Sequence, residues 1–200
     1  MEREEHRSRR LVLKAPAGED DVQRFVDELG WSRIAETPAP SSDEEPAREI
    51  GWAAGPALSL HYVEDPVSLN SYVVARGFEQ TAVDALARLA EERLDTWSLD
   101  ELLIAVDQPA EPLDRARAMI RAGVGAPEGF DQRFFDRISA ATTDPDPMVR
   151  EAALYATAYS PYPKYRAILE LAAREDPDQQ RRDDAWILLE SFDTQGIGNE

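Results

Sequence analysis

Cysteine is absent from this 200-residue chain, and histidine occurs only twice. The lack of cysteine excludes disulfides, thiolate nucleophiles and cysteine-ligated zinc. The two histidines, His6 and His61, are too few to build a histidine-rich metal site. We therefore expect no metal and no cofactor.

Positive charge is also scarce. Twenty-two basic residues stand against 40 acidic ones, which gives a formal net charge of −18 at pH 7. A field of this sign repels phosphate backbones and attracts cationic surfaces. We expect no binding to nucleic acid, and we expect a protein partner that is basic.

Long apolar runs are missing as well. The opening "MEREEHRSRR" is charged throughout. Only a few apolar residues follow it, which are too few for a secretory signal or a membrane span. A cytoplasmic location and no contact with a membrane are the expectation. The excess of arginine over lysine, together with abundant alanine, is typical of GC-rich bacterial genomes.

Residues 1–97 carry a mixture of strand and helix patterns. Alternating apolar residues predict strands at 9–16, 56–65 and 71–77, the last two as an antiparallel pair, and helical stripes predict helices at 19–30 and 81–94, the second with Thr81 as N-cap. The proline- and serine-rich stretch 36–47 predicts a mobile loop. The order predicts a small α+β domain with helices on one face of an antiparallel sheet, for which a ferredoxin-like topology is one arrangement.

Residues 98–192 contain an internal repeat. "DPDPMVREAALYAT" (144–157) and "DPDQQRRDDAWILL" (176–189) share aspartate, proline, arginine and alanine at matching positions 32 residues apart, and "EPLDRARAM" (111–119) is an earlier copy. Each copy follows another predicted helix, at 98–108, 130–142 and 163–175. One helical hairpin cannot bury both of its faces, so we expect the three to stack as an α-solenoid, followed by a frayed tail at 193–200.

The copy "DPDPMVREAALYA" resembles the second helix of a HEAT-type repeat, the class that includes the HEAT-like repeats of phycobilisome lyases. The resemblance covers about half of the chain. It implies that the second helices line a concave face and that an aspartate and an arginine of each copy form a ladder between repeats. The residues concerned are Asp146 with Arg150, Asp178 with Arg182, and Glu111 with Arg115 in the first copy.

The repeat predicts a binding function without catalysis. We expect an adaptor or scaffold whose acidic surface engages the basic partner, and an immunity-type protein that neutralises a toxin is the narrower form of that hypothesis. The residues expected on this surface lie on the second helices, away from the small residues Ala153 and Ala185; they are Glu151, Tyr155, Tyr159, Asp183 and Asp184. Trp186 takes the position of Leu154, so we expect it in the core or over the end of the solenoid.

The alternative is an enzyme, lyase-like or of another kind, that acts on a small molecule in a pocket between the two halves around His61. The HEAT-type resemblance also points to the hydroxylases of that class, but their His-Glu pairs are absent from this sequence. Serine-hydrolase chemistry needs a histidine base, and His61 has no nucleophile-elbow sequence to accompany it. The paired aspartates at 144 and 146 and at 176 and 178 precede predicted helices, where capping explains them.

Overall fold

Strands form in the first half of the chain and helices fill the second. The computed structural model describes residues 4–39, 46–108 and 111–198, and these divide between two units, Met1–Ser98 and Leu99–Glu200. In chain order the elements are β1 (His6–Arg7), β2 (Leu11–Val12), α1 (Glu19–Glu28), β3 (Ser32–Thr37), β4 (Arg48–Gly55), β5 (Leu58–Asp65), β6 (Asn70–Gly77), α2 (Gln80–Arg93), α3 (Leu99–Asp107), α4 (Pro112–Gly125), α5 (Gln132–Ala141), α6 (Pro147–Tyr159), α7 (Tyr165–Glu175) and α8 (Gln179–Thr194).

The six strands form one antiparallel sheet. Its order is β1-β6-β5-β4-β3, and the short strand β2 also pairs with β6. The predicted antiparallel pair is present as β5 and β6. The ferredoxin-like topology is wrong, because β3 to β6 follow one another as neighbours, whereas that topology interleaves its strands with crossover helices.

Both helices of the first unit pack on the same face of the sheet, as predicted. Strand residues of even number in β4 and β5, such as Ile50, Trp52 and Leu60, point to this face and are buried. The apolar stripes of α1 and α2 cover them, with Phe25 and Leu86 among the buried contacts. The odd-numbered residues of β4 and β5 therefore lie on the opposite face of the sheet.

Three strands, β1, β3 and β4, lie outside the strands that the sequence predicted. In β3, Ser32 to Glu36 are all exposed, so there is no buried alternation to recognise. Its last residues, Glu36 and Thr37, pair with β4 inside the stretch predicted to be a mobile loop, and the central part of that loop, 40–45, lies outside the described residues. The predicted N-cap of α2 is also wrong, since the N-cap residue is Glu79.

The second unit is helical throughout its regular structure. Successive helices contact each other as the pairs α3 with α4, α5 with α6, and α7 with α8, while α6 packs against both α4 and α8. Asp146 and Asp178 cap α6 and α8 as predicted, because each carboxylate accepts a hydrogen bond from a backbone N–H in the first turn, at 2.9 and 2.8 Å. Small residues such as Ala153 are fully buried where the helices meet.

The end of α8 is capped and does not fray. The helix continues to Thr194, Gly196 follows it with φ of +69°, and the backbone N–H of Ile197 donates to the carbonyl of Phe192 at 2.9 Å. These bonds form a Schellman motif, which satisfies carbonyls that the helix end would otherwise leave open. The predicted frayed tail is therefore wrong over 193–197, and residues 199 and 200 lie outside the described part.

Throughout residues 4–39, 46–108 and 111–198, none of the helices combines the length and the apolar character that crossing a lipid bilayer requires.

Candidate functional site

An arginine on each of two second helices, α4 and α6, links that helix to the turn before the next second helix. Arg150 on α6 donates to both carboxylate oxygens of Asp176, from Nε at 2.8 Å and from Nη2 at 3.1 Å. Arg115 on α4 forms the equivalent ion pair with Asp144. The same bond thus recurs at two successive junctions.

The ladder uses a different aspartate from the one predicted. Asp146 and Asp178 are occupied as helix caps, so the predicted pairings of Asp146 with Arg150 and of Asp178 with Arg182 are wrong. Arg182 instead donates to the backbone carbonyl of Asp176. The first aspartate of each Asp-Pro-Asp turn is left to receive the arginine of the preceding copy.

At the start of the first copy, residues 109 and 110 lie outside the described part of the chain. Glu111 is exposed and is the N-cap residue of α4, while Arg115 pairs forward with Asp144. The predicted pairing of Glu111 with Arg115 is therefore wrong, because Arg115 pairs with an aspartate of the following turn.

The pair of Arg150 and Asp176 is buried. Only 7% and 2% of the two side chains are exposed. Burial by itself raises the pKa of Asp176, but the hydrogen bonds from Arg150 and from the backbone N–H of Asp178 outweigh it and hold that pKa below its usual range. The pair connects α6 to the turn before α8.

The acidic residues expected to bind a partner are partly used inside the helical unit. Arg181 lies 2.5 Å from a carboxylate oxygen of Glu151 and 2.9 Å from one of Asp184, and Asp184 is buried. Tyr155 is near this group: its pKa is raised by burial and by the charges of Asp184 and Glu151. The expectation that Asp184 lies on an open acidic surface is wrong.

Asp183 and Tyr159 lie apart from that group. Asp183 is exposed and accepts a hydrogen bond from the Gln179 side chain at 2.7 Å, whereas Tyr159 is half-buried. Neighbouring residues on a helix point about 100° apart, which separates Asp183 from Asp184. The five residues therefore do not form the single surface that we expected.

The exposed face of α8 carries two large apolar side chains. Trp186 is 53% exposed and Ile187 is 63% exposed, so the expectation of a core position for Trp186 is wrong. Asp183 and Glu190 are exposed at the helical spacing on either side of them. We call these four residues the α8 patch.

A second group of polar residues lies on the sheet face opposite the core of the first unit. His61 on β5 has its Nδ1 2.6 Å from Glu49 Oε1 on β4 and its Nε2 2.8 Å from Ser59 Oγ. Arg76 on β6 has Nη1 3.1 Å from the same oxygen of Glu49. The sequence did not reveal this group because β4, which supplies Glu49, had not been recognised, although Ser59 and His61 alternate on a predicted strand.

A glycine makes room for the imidazole. Gly51 pairs with His61 across the strands, and a Cβ at Gly51 would lie 3.0 Å from His61 Cε1. Burial and the charge of Arg76 lower the pKa of His61, and Glu49 only partly opposes them. The ring is therefore neutral at pH 7, and because a carboxylate only accepts hydrogen bonds, the single N–H lies on Nδ1 and Nε2 accepts from the Ser59 hydroxyl.

Replacing Glu49 by glutamine is expected to lower the pKa of His61 further. The carboxylate stabilises the imidazolium by its charge and its hydrogen bond, and the other charges acting on the ring are those of Arg76 and Glu5. NMR titration of the imidazole C–H signals measures the effect, with Glu79→Gln as a matched control at an exposed position. A pKa of His61 that stays the same or rises in Glu49→Gln would contradict the hydrogen bond between Glu49 and the imidazole.

Among the described residues, no group of three or more histidine, aspartate or glutamate side chains is placed to hold a metal ion. A scan against protein-family models, a search of curated proteins and a search of solved structures each found no match for this chain.

Proposed function

We propose that the helical unit is a non-catalytic protein-binding module that engages a basic protein through the α8 patch. The observation that carries this proposal is the exposure of Trp186 and Ile187 between Asp183 and Glu190. Exposed apolar side chains with a polar rim are typical of interaction sites, and tryptophan is enriched among the residues that contribute most to binding.

The net charge of the chain favours a partner of positive charge. With a net charge of −18, the protein attracts cationic surfaces over long range and repels anionic ones. In the α8 patch, the two carboxylates flank the apolar pair and would meet lysine or arginine side chains around an apolar pocket of the partner. A cationic toxin that the protein neutralises is the narrower form of this proposal.

The acidic residues of the proposed surface differ from those that the sequence predicted. Glu151 and Asp184 are paired with Arg181, so breaking these pairs on binding would cost free energy. Asp183 remains in the proposed surface, and Glu190 joins it. Tyr155 and Tyr159 are half-buried and contribute less exposed area than Trp186 does.

We also propose that α3 to α8 form a short HEAT-like α-solenoid. Two facts support this: the sequence repeat coincides with the helix pairs, and the same arginine-to-aspartate bond joins the first copy to the second and the second to the third. Recurrent contacts between neighbouring copies are what a solenoid requires. Among the described residues, α8 is the second helix of the third copy in this array.

The double variant Trp186→Ala/Ile187→Ala is expected to bind the partner more weakly. Removing two exposed apolar contacts of this size should weaken binding by about 2 kcal/mol, which is roughly 30-fold in Kd. The measurement is affinity capture from the native extract with the full chain as bait, followed by titration of the retained protein at low and high salt. Wild type should retain a basic protein that salt releases.

The matched control is Val67→Ser, which removes an equally exposed aliphatic side chain, 63%, from a turn of the first unit. It should bind like wild type. Equal retention by wild type and by the double variant, or a retained protein that is acidic, would overturn the assignment of the α8 patch.

A further inference from the structure

The group around His61 has the hydrogen-bond order of a serine-histidine-carboxylate triad. The Ser59 hydroxyl lies 2.8 Å from Nε2 of the imidazole, and Glu49 lies 2.6 Å from Nδ1. In such triads the carboxylate orients the ring, and the ring accepts the proton of the serine hydroxyl. We propose that Ser59, His61 and Glu49 form a hydrolytic site of the first unit that acts on small carboxylic esters.

The burial of the three residues fits these roles. His61 is buried, whereas Ser59 is only partly buried and so can meet a substrate from solvent. The ring is held in place on both sides, because Gly51 leaves space beside it and both of its nitrogens are hydrogen-bonded. A neutral imidazole is the form that can act as a base, and the lowered pKa of His61 keeps it in that form at pH 7.

The cross-strand neighbours of Ser59 are one small residue and one positively charged residue. Across the strands Ser59 is paired with Ala53 on β4 and with Arg76 on β6, so both side chains lie on its face of the sheet. Ala53 contributes only a methyl group beside the hydroxyl. The guanidinium of Arg76 lies 3.1 Å from Glu49 Oε1 on the same face, so it brings positive charge to the group in which negative charge develops on the carbonyl oxygen.

The reaction proceeds in two balanced halves. Ser59 Oγ bonds to the carbonyl carbon as its proton passes to His61 Nε2, and the bond to the alcohol oxygen breaks as that proton passes to the leaving alcohol. Water then attacks the acyl-Ser59 ester, His61 Nε2 takes a proton from the water, and that proton returns to Ser59 Oγ as the acid leaves. The sum is ester plus water giving acid plus alcohol.

Labelling by a fluorophosphonate probe tests the proposal on the full chain. The probe forms a stable phosphonyl ester with an activated serine, and peptide mass spectrometry then locates it. We expect an adduct at Ser59, loss of that adduct in Ser59→Ala, and unchanged labelling in Ser32→Ala, which replaces an exposed serine of β3. Hydrolysis of p-nitrophenyl acetate should likewise exceed the background in the wild type and in Ser32→Ala, and should fall to the background in Ser59→Ala.

Variants of His61 and Glu49 distinguish a catalytic base at His61 from a histidine that only stabilises the fold. His61→Gln should slow labelling about 100-fold, because general-base catalysis is lost. Glu49→Gln, at a partly exposed position, should slow it by at least about 10-fold while circular dichroism and thermal melting show a folded chain. No adduct at Ser59 in the wild type, or equal labelling rates in a folded Glu49→Gln variant, would overturn the proposal without affecting partner binding by α8.

Discussion

Replacing Asp176 by alanine is expected to lower the free energy of unfolding by about 3–5 kcal/mol. The substitution leaves Arg150, whose side chain is only 7% exposed, as a buried cation without its carboxylate. It also removes the acceptor for the backbone N–H of Asp178. Urea denaturation followed by circular dichroism gives the change from the shift of the midpoint at constant slope.

Asp178→Ala is the matched control, since it makes the same change two residues away in the same turn. Asp178 accepts one backbone hydrogen bond as the cap of α8, so its loss should cost only about 1 kcal/mol. Equal losses in the two variants would show that the bond between Arg150 and Asp176 contributes little beyond capping.

The ion pair of Arg150 with Asp176 also predicts how the free energy of unfolding depends on pH. The pKa of Asp176 is lowered in the folded chain, so the unfolded chain binds more protons at this residue. Its contribution is therefore complete above the pKa of an unfolded aspartate, about 4, and is lost as the pH falls below that value. Asp176→Ala should reduce the loss of stability between about pH 4 and pH 2 relative to wild type.

Gly123→Leu is expected to lower the free energy of unfolding by about 3 kcal/mol, although leucine favours a helix more than glycine does. Gly123 is buried in α4, and even a Cβ there would lie 2.6 Å from Cα and Cβ of Ala156 on α6. Two of the three closest atoms belong to the backbone of α6, so the helices themselves must separate. Thermal and urea unfolding measure the loss.

The control for crowding is Gly129→Leu. In the described part of the chain, apart from Gly129 and its two chain neighbours, no heavy atom lies within 4 Å of a Cβ built at Gly129. We expect a change within about 0.5 kcal/mol, as for other exposed substitutions. A Gly123 variant as stable as this control would mean that α4 and α6 do not approach as closely as described.

Local signals predicted the parts of the structure that short segments determine. The stripe of Val22, Phe25, Val26 and Leu29 predicted α1. The first three are buried, whereas Leu29 is exposed and is the C-cap residue. The aspartate before a helical pattern predicted the caps of α6 and α8, because a cap involves atoms only two residues apart.

Contacts between distant residues were harder to predict. Arg150 and Asp176 are 26 residues apart, and the sequence offers two aspartates in each turn as partners. The second one is committed to capping, which explains in retrospect why the first one receives the arginine. The resemblance to HEAT-type repeats implied that an aspartate and an arginine pair, but it did not indicate this register.

The α8 patch and the group around His61 also depend on contacts and orientations that short segments do not determine. Asp183 and Asp184 are adjacent in sequence, yet one is exposed and the other is buried against Arg181, and only the orientation of α8 decides which. Glu49 belongs to β4, where Ile50 and Trp52 alternate with small residues. That alternation was a usable signal for the strand, and it would have placed Glu49 on the face of His61.

Photo-crosslinking from the α8 patch tests partner binding most directly. A benzoylphenylalanine side chain is introduced at position 187 in one variant and at position 67 in another, both of which replace residues that are 63% exposed. After irradiation in the native extract, we predict an adduct with one basic protein at position 187 that disappears at high salt and is absent at position 67. Equal adducts at both positions, or no adduct at position 187, would contradict a binding function for the exposed face of α8.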